Sequence, residues 1–150
     1  MSSVIKKSVV EVFEGLYLGT WSDEYNIETM NKLNISHLLV CGSEIEPTHT
    51  KSNLIYLKLP LLDFDSFKID KYLDEATSFM EKALVEGTGL FIYSFKAKRR
   101  AIAMLLAFVM KLWQCDYTRS SYKLNKKGIA TNQVELLHFE NLRSSINLKI

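Results

Sequence analysis

The stretch that decides the fold is Leu90–Met110, which reads LFIYSFKAKRRAIAMLLAFVM. A short apolar run ends at Tyr93 and Ser94, a basic loop follows, and the remainder is apolar almost all round a helix. The loop carries four cations within five residues: Lys96, Lys98, Arg99 and Arg100. This order is typical of a buried strand, an anion-binding loop and a buried helix, because free N–H groups and the helix dipole favour negative charge at a helix N-terminus. We therefore predict an anion site in this loop.

Outward from this stretch, apolar runs of strand type alternate with runs of helix type. The predicted strands are Val9–Phe13, Leu16–Leu18, His37–Val40, Leu54–Leu62 and Leu90–Tyr93. The predicted helices run from Ser22 or Asp23 to Leu33, from Ile69 to Leu84, over Ala101–Trp113 and Tyr117–Leu124, and from Asn132 to about Arg143. Strands alternating with helices imply one α/β domain over residues 1–150, with three layers and a central, mostly parallel sheet flanked by helices. We expect Leu54–Leu59 and Leu90–Tyr93 to be neighbouring central strands, and Ala101–Trp113 to be the most buried helix.

Composition narrows the function classes. The chain has 150 residues, 47% of them hydrophobic, which suits one globular domain, and its net charge of +2 is too small to indicate nucleic acid. No run is apolar and long enough for a membrane span, and the N-terminus lacks a signal-peptide core. Cys41, Cys115 and three histidines show no metal-ligand spacing, so we predict no metal and no cofactor. Free thiols favour a reducing compartment, the cytoplasm or also the nucleus.

Four segments, in this order, resemble the dual-specificity protein phosphatase domain of the cysteine-dependent protein tyrosine phosphatase superfamily. GLYLGTWSDEYNIETMNKLNISHLLVCGSE resembles the family's opening strand, first helix and next strand. IYLKLPLLDFDSFKIDKYLDEATSFMEKAL resembles its acid loop and following helix, and LFIYSFKAKRRAIAMLLAFVMK falls where its signature loop belongs. NQVELLHFENL resembles the closing helix. The resemblance covers nearly the whole chain.

The family's signature is His-Cys, five residues, Arg, then Ser or Thr, with a Gly in the middle of the loop. The resemblance implies a phosphate-binding loop formed by Ser94, Phe95, Lys96, Ala97, Lys98, Arg99 and Arg100. Arg100 fills the phosphate-gripping position, and Asp63 fills the general-acid position on the earlier loop. The nucleophile position holds Ser94. The His, Gly and hydroxyl positions hold Tyr93, Ala97 and Ala101.

These departures predict loss of catalysis. A loop cysteine works as a thiolate because nearby cations and the helix N-terminus lower its pKa. The Ser94 hydroxyl stays protonated in the same field, and it would need an adjacent base that the loop does not offer. An engineered Cys-to-Ser change would not explain Tyr93, Ala97 and Ala101 as well. We therefore predict a pseudophosphatase that binds a phosphorylated protein, or a kinase or phosphatase partner, and neither nucleic acid nor a membrane.

Two other functions remain open at this point. The domain could be an active or weakly active phosphatase with Ser94 as an altered nucleophile, or a scaffold whose pocket is occluded by Tyr93 or Phe95. The site residues also have plainer interpretations. Asp63 fits a solvated or helix-capping aspartate, and the lysines with Arg99 fit a solvated basic turn.

Overall fold

The computed structural model describes residues 9–63, 67–132 and 134. Within these residues one sheet contains five strands, β1 Val10–Phe13, β2 Leu16–Thr20, β3 His37–Cys41, β4 Ile55–Leu59 and β5 Leu90–Ser94. Their order is β1-β2-β5-β3-β4. Only the β1–β2 pair is antiparallel among these strands. The predicted α/β domain with a mostly parallel sheet is confirmed.

Helices cover both faces of the sheet. The described helices are α1 Trp21–Tyr25, α2 Ile27–Lys32, α3 Leu73–Glu86, α4 Arg99–Trp113 and α5 Tyr117–Lys126, with a 3₁₀ turn at Asp70–Tyr72. Alternation along β5 divides the core. Leu90 and Ile92 join the cluster formed with α3, α4 and α5, while Phe91 and Tyr93 join the cluster that contains Met30 of α2. The protein therefore has the three predicted layers.

The helix after the basic loop forms the centre of the larger core. Every residue of α4 from Arg100 to Met110 is buried, more than in any other described helix. The helix packs against β3 and β5 of the sheet and against both α3 and α5, which explains why its sequence is apolar on more than one face. The predicted most buried helix is confirmed.

The predicted place of the fourth strand is wrong. β3 lies between β5 and β4, so Leu54–Leu59 is an edge strand and is not next to Leu90–Tyr93. Ile55 is half-exposed, and Lys58 forms an ion pair with Glu46 at 3.2 Å. The strand looks buried in sequence because the segment between β3 and β4 folds over part of it, including Tyr56, whose hydroxyl accepts a hydrogen bond from the amide N–H of His49.

The first predicted helix is also corrected. Two short helices replace one helix from Ser22 or Asp23 to Leu33, and they divide at Asn26, whose side chain accepts hydrogen bonds from the amides of Glu28 and Thr29. The N-cap of α1 is Thr20, and Asp23 completes its capping box. Asp116 caps α5 as its sequence suggests, by accepting from the amide of Arg119. Most of the predicted helix from Asn132 to about Arg143 lies outside the described residues.

Candidate functional site: the loop between β5 and α4

The predicted anion-binding loop lies where parallel strands end. β5 ends at Ser94 and α4 begins at Arg99, so the loop joins the carboxyl edge of a sheet to a helix N-terminus. The carbonyl of Phe95 accepts from the amide of Trp21 at 3.2 Å, which ties the loop to α1. The amide N–H groups of Phe95, Lys96 and Ala97 donate to no residue that the structure describes. These donors are therefore available to an anion.

Ser94 has a structural bond of its own. Its side chain is fully buried, and its Oγ accepts a hydrogen bond of 2.8 Å from the amide of Ala101 in the first turn of α4. The helix needs this acceptor because its N-cap residue, Lys98, provides no side-chain bond. Among the described residues, no basic side chain contacts Oγ. The hydroxyl thus stabilises the helix start and lacks the base that a serine nucleophile requires.

Arg100 is buried and held in a fixed orientation. Its Nη1 and Nη2 donate to the two carboxylate oxygens of Glu44 at 2.8 and 2.5 Å, and Nη1 also donates to the carbonyl of Leu61 at 2.9 Å. The hydrogen bond from Arg100 holds the pKa of Glu44 below its usual range. The Nε–H group is buried and has no acceptor among the described residues. The bonds to Glu44 and Leu61 therefore leave the buried Nε–H donor of the guanidinium unpaired within the described part of the chain.

Asp63 reaches the same edge of the fold but is engaged by the neighbouring arginine. Its Oδ1 accepts from Nε of Arg99 at 2.6 Å. The structure thus brings Asp63, at the candidate acid position, into contact with Arg99, the residue directly before Arg100. Asp63 sits in an ion pair in this arrangement, so its carboxylate charge is matched by a cation of the loop.

Neither cysteine of the chain lies in the loop between β5 and α4. Cys41 ends β3 and is buried, and burial raises the pKa of its thiol well above the ordinary value. Cys115 lies beyond the far end of α4. Across the described ranges, no group of His, Cys, Asp and Glu side chains is arranged to hold a metal ion. In the same part of the chain, no helix combines the length and apolar character that crossing a bilayer requires.

The two aromatic residues that could occlude the pocket have packing partners of their own. Tyr93 stacks on Phe91 with ring centroids 5.4 Å apart, inside the smaller core cluster. Burial raises the pKa of Tyr93, and its hydroxyl is buried with no partner among the described residues. Phe95 packs against Trp21, with ring centroids 5.7 Å apart. Both rings thus contribute to the packing beside α1 and α2.

A buried carboxylate that sequence analysis missed connects α1 to the segment between β3 and β4. Glu24 is fully buried, and its carboxylate accepts three hydrogen bonds. Thr48 donates two of them, from its amide at 3.0 Å and from its hydroxyl at 2.6 Å, and the hydroxyl of Tyr56 donates the third at 2.6 Å. His49 Nε2 lies 2.9 Å from the carbonyl oxygen of Glu24. These bonds join α1 to the segment between β3 and β4, the segment that also supplies Glu44. Nothing in the SDEY sequence distinguishes Glu24 from a solvated helix residue.

Comparison with known proteins identifies the family. The family model described as dual specificity phosphatase, catalytic domain, matches residues 16–141. The chain therefore belongs to the dual-specificity phosphatase family. Over 98 residues it is 26% identical to dual specificity protein phosphatase 1 of Arabidopsis thaliana, which covers 65% of this chain and 49% of that protein. The second plant relative, dual specificity protein phosphatase 1B, is 25% identical over 70% of this chain and 62% of its own length. The match thus spans about half to three fifths of these relatives.

Solved structures share the fold at low sequence identity. A mouse putative dual specificity phosphatase complexed with zinc tungstate superposes with a TM-score of 0.84 at 15% identity, covering 99% of this chain and 92% of that one. Human DUSP28 gives 0.82 at 16% identity, with 97% of each chain covered. The human tyrosine phosphatase-like serine/threonine/tyrosine-interacting protein gives 0.78 at 17% identity, with 96% of each covered. These likenesses establish the fold.

Proposed function

We propose that this domain is a catalytically silent pseudophosphatase that binds a phosphorylated protein as a regulator. The main observation behind the proposal is the hydrogen bonding of the Arg100 guanidinium. Glu44 and the Leu61 carbonyl hold two of its nitrogens, and the buried Nε–H has no acceptor among the described residues. An unpaired buried donor is costly, and a phosphoryl oxygen would satisfy it.

Other donors around the loop support phosphoryl binding. The amides of Phe95, Lys96 and Ala97 belong to the loop, and the N-terminus of α4 follows it directly. Backbone N–H groups and a helix N-terminus in such an arrangement stabilise phosphate together. Replacing the cysteine thiolate by Ser94 also removes a negative charge that would repel phosphate. Affinity for the phosphoryl group can therefore persist in a loop that has lost its nucleophile.

Loss of catalysis is supported by the partners of Ser94 and Asp63. The Ser94 Oγ accepts from the Ala101 amide, and Asp63 is paired with Arg99. A weakly active phosphatase would have to break the first bond and find a base for Ser94. The packing of Tyr93 and Phe95 against Phe91 and Trp21 argues against a scaffold in which these rings fill the pocket.

The test is calorimetric titration with a phosphopeptide and its unphosphorylated counterpart. We expect the wild-type protein to prefer the phosphopeptide. Arg100→Met should weaken phosphopeptide binding about tenfold or more, because it removes charge-assisted donors. Arg119→Met, on the exposed surface of α5, removes one cation away from the loop and serves as the matched control.

Two results would contradict the proposal. If both peptides bind equally to wild type and to Arg100→Met, the partner is recognised elsewhere and the domain is a scaffold. If Arg119→Met weakens binding as much as Arg100→Met, only the overall positive charge matters and the loop is not the site.

A further inference from the structure

A groove lies directly beside the phosphate-binding loop. Its volume is about 410 Å³, within the range of sites that hold small ligands and single side chains. Three aromatic side chains line it, Trp21 and Tyr25 from α1 and Phe95 from the loop. Two carboxylates from the segment after β3, Glu44 and Glu46, also contribute to the lining. The groove therefore combines aromatic rings with acidic groups.

The three rings form a continuous row. The Trp21 centroid lies 5.5 Å from that of Tyr25 and 5.7 Å from that of Phe95, with the rings tilted by 40° and 42°. Tyr25 is 60% exposed, so the end of the row is open to solvent. Aromatic faces carry negative charge density that attracts a cation, most strongly at tryptophan. Lys96 already lies 5.6 Å from the Phe95 ring centroid, as this attraction predicts.

The carboxylates leave acceptor capacity on the groove side. The side chain of Glu46 is 86% exposed, and Lys58 contacts its Oε2 at 3.2 Å, while Oε1 has no hydrogen-bond or ion-pair partner among the described residues. The side chain of Glu44 is 45% exposed although it holds Arg100. A cation that stacks on the rings would therefore find carboxylate oxygens beside it. This combination of charge and ring surface matches a guanidinium, which stacks on aromatic faces and also donates in a fork to carboxylates.

We propose that this groove receives an arginine side chain of the bound phosphoprotein. The inference rests on the proposed function and specifies its partner, a polypeptide with an arginine within about three residues of the phosphorylated residue. Two residues, Phe95 and Glu44, connect the groove to the loop. Phe95 directly follows Ser94, and Glu44 both lines the groove and orients Arg100. One extended segment, at about 3.3 Å per residue, can therefore engage both sites.

The experiment varies phosphate and arginine independently. Four peptides, with or without the phosphate and with arginine or alanine at one position, are titrated into the full chain, and the position is scanned from −3 to +3. At the best position, arginine should tighten phosphopeptide binding about five- to tenfold. Tyr25→Ala and Glu46→Gln should each remove most of this gain and keep the affinity for the alanine phosphopeptide.

Matched controls separate the groove from general effects on the surface. Tyr122→Ala removes an aromatic ring that is 61% exposed on α5, against 60% for Tyr25. Glu75→Gln neutralises an exposed carboxylate on α3. Both controls should keep the full gain from arginine.

The outcomes distinguish this inference from the proposed function. If phosphate tightens binding and arginine does not at any position, the groove proposal fails and the proposed function stands. If arginine tightens binding and phosphate does not, the proposed function fails and the groove binds arginine independently. A strong preference for phosphotyrosine over phosphoserine, whatever the arginine, would mean that the rings hold the phosphorylated aryl group, and it would overturn the inference.

Discussion

The purified protein should release no phosphate from an aryl phosphate or a phosphopeptide. Its Ser94 hydroxyl is buried, accepts from the Ala101 amide and has no base beside it in the described structure. Ser94→Cys should restore weak turnover at best. Its thiol regains a field of cations and a helix N-terminus. Tyr93, Ala97 and Ala101 still replace the His, the Gly and the hydroxyl residue that the resemblance to the family places there.

Restoring the whole signature should have a much larger effect. The combination of Tyr93→His, Ser94→Cys, Ala97→Gly and Ala101→Ser should exceed Ser94→Cys alone by about 10²-fold, the lower end of what one positioned proton-transfer group contributes. Phosphate release measures both variants. Adding Asp63→Asn to the restored protein should reduce turnover again if Asp63 can act as the acid. Turnover by wild type that vanishes in Ser94→Ala, or family-like activity from Ser94→Cys alone, would contradict this account.

Removing Glu44 should be the most destabilising change at the site. Glu44→Ala leaves the guanidinium of Arg100, whose side chain is 3% exposed, without its carboxylate partner. Breaking a buried ion pair from one side typically costs 3–5 kcal/mol, and since the Glu44 side chain is 45% exposed we expect about 3 kcal/mol. Glu46→Ala, in the same segment, removes an exposed ion pair and should cost about 0.5 kcal/mol. Urea denaturation measures both changes.

The complementary variants test the cause of that loss. Arg100→Met removes the buried charge itself, so it should lower the free energy of unfolding by less than Glu44→Ala does. The double variant Arg100→Met with Glu44→Ala should be little less stable than Arg100→Met alone. Arg100 lowers the pKa of Glu44 in the folded protein. The contribution of the ionised Glu44 to the free energy of unfolding is therefore present above its unfolded pKa of about 4.3, and it is lost as the pH falls through the lower pKa of the folded protein. Equal and additive losses from the two single variants would exclude this coupling.

The sequence could predict the centre of the fold and the place of the loop. The structure of Leu90–Met110 can be predicted from that segment alone, because an apolar run, a basic turn and a helix that is apolar all round are local features. The depth of α4 follows because only a helix packed on several sides tolerates apolar residues all round. The position of Arg100 relative to Ser94 followed from the resemblance to the family.

The partners of the site residues could not be predicted. Glu44 lies 56 residues from Arg100 along the chain, and Tyr56 lies 32 residues from Glu24. Both acids stand in polar stretches, and their roles arise only when distant segments meet. The edge position of β4 was missed for a similar reason, because a covering loop makes an edge strand as apolar as a central one. Local sequence patterns therefore predict helices and strands, but they do not predict which distant residues these elements contact in the fold.

The central claim is that the loop binds a phosphoryl group without hydrolysing it, and ³¹P NMR tests both parts in one sample. A phosphopeptide is mixed with excess wild-type protein, and its spectrum is followed over time with Arg100→Met in parallel. We predict that the phosphopeptide resonance shifts or broadens with wild type, moves much less with Arg100→Met, and is not replaced by a signal of inorganic phosphate. Growth of an inorganic phosphate signal that Ser94→Ala abolishes, or a phosphopeptide resonance that wild type leaves unchanged, would contradict the account.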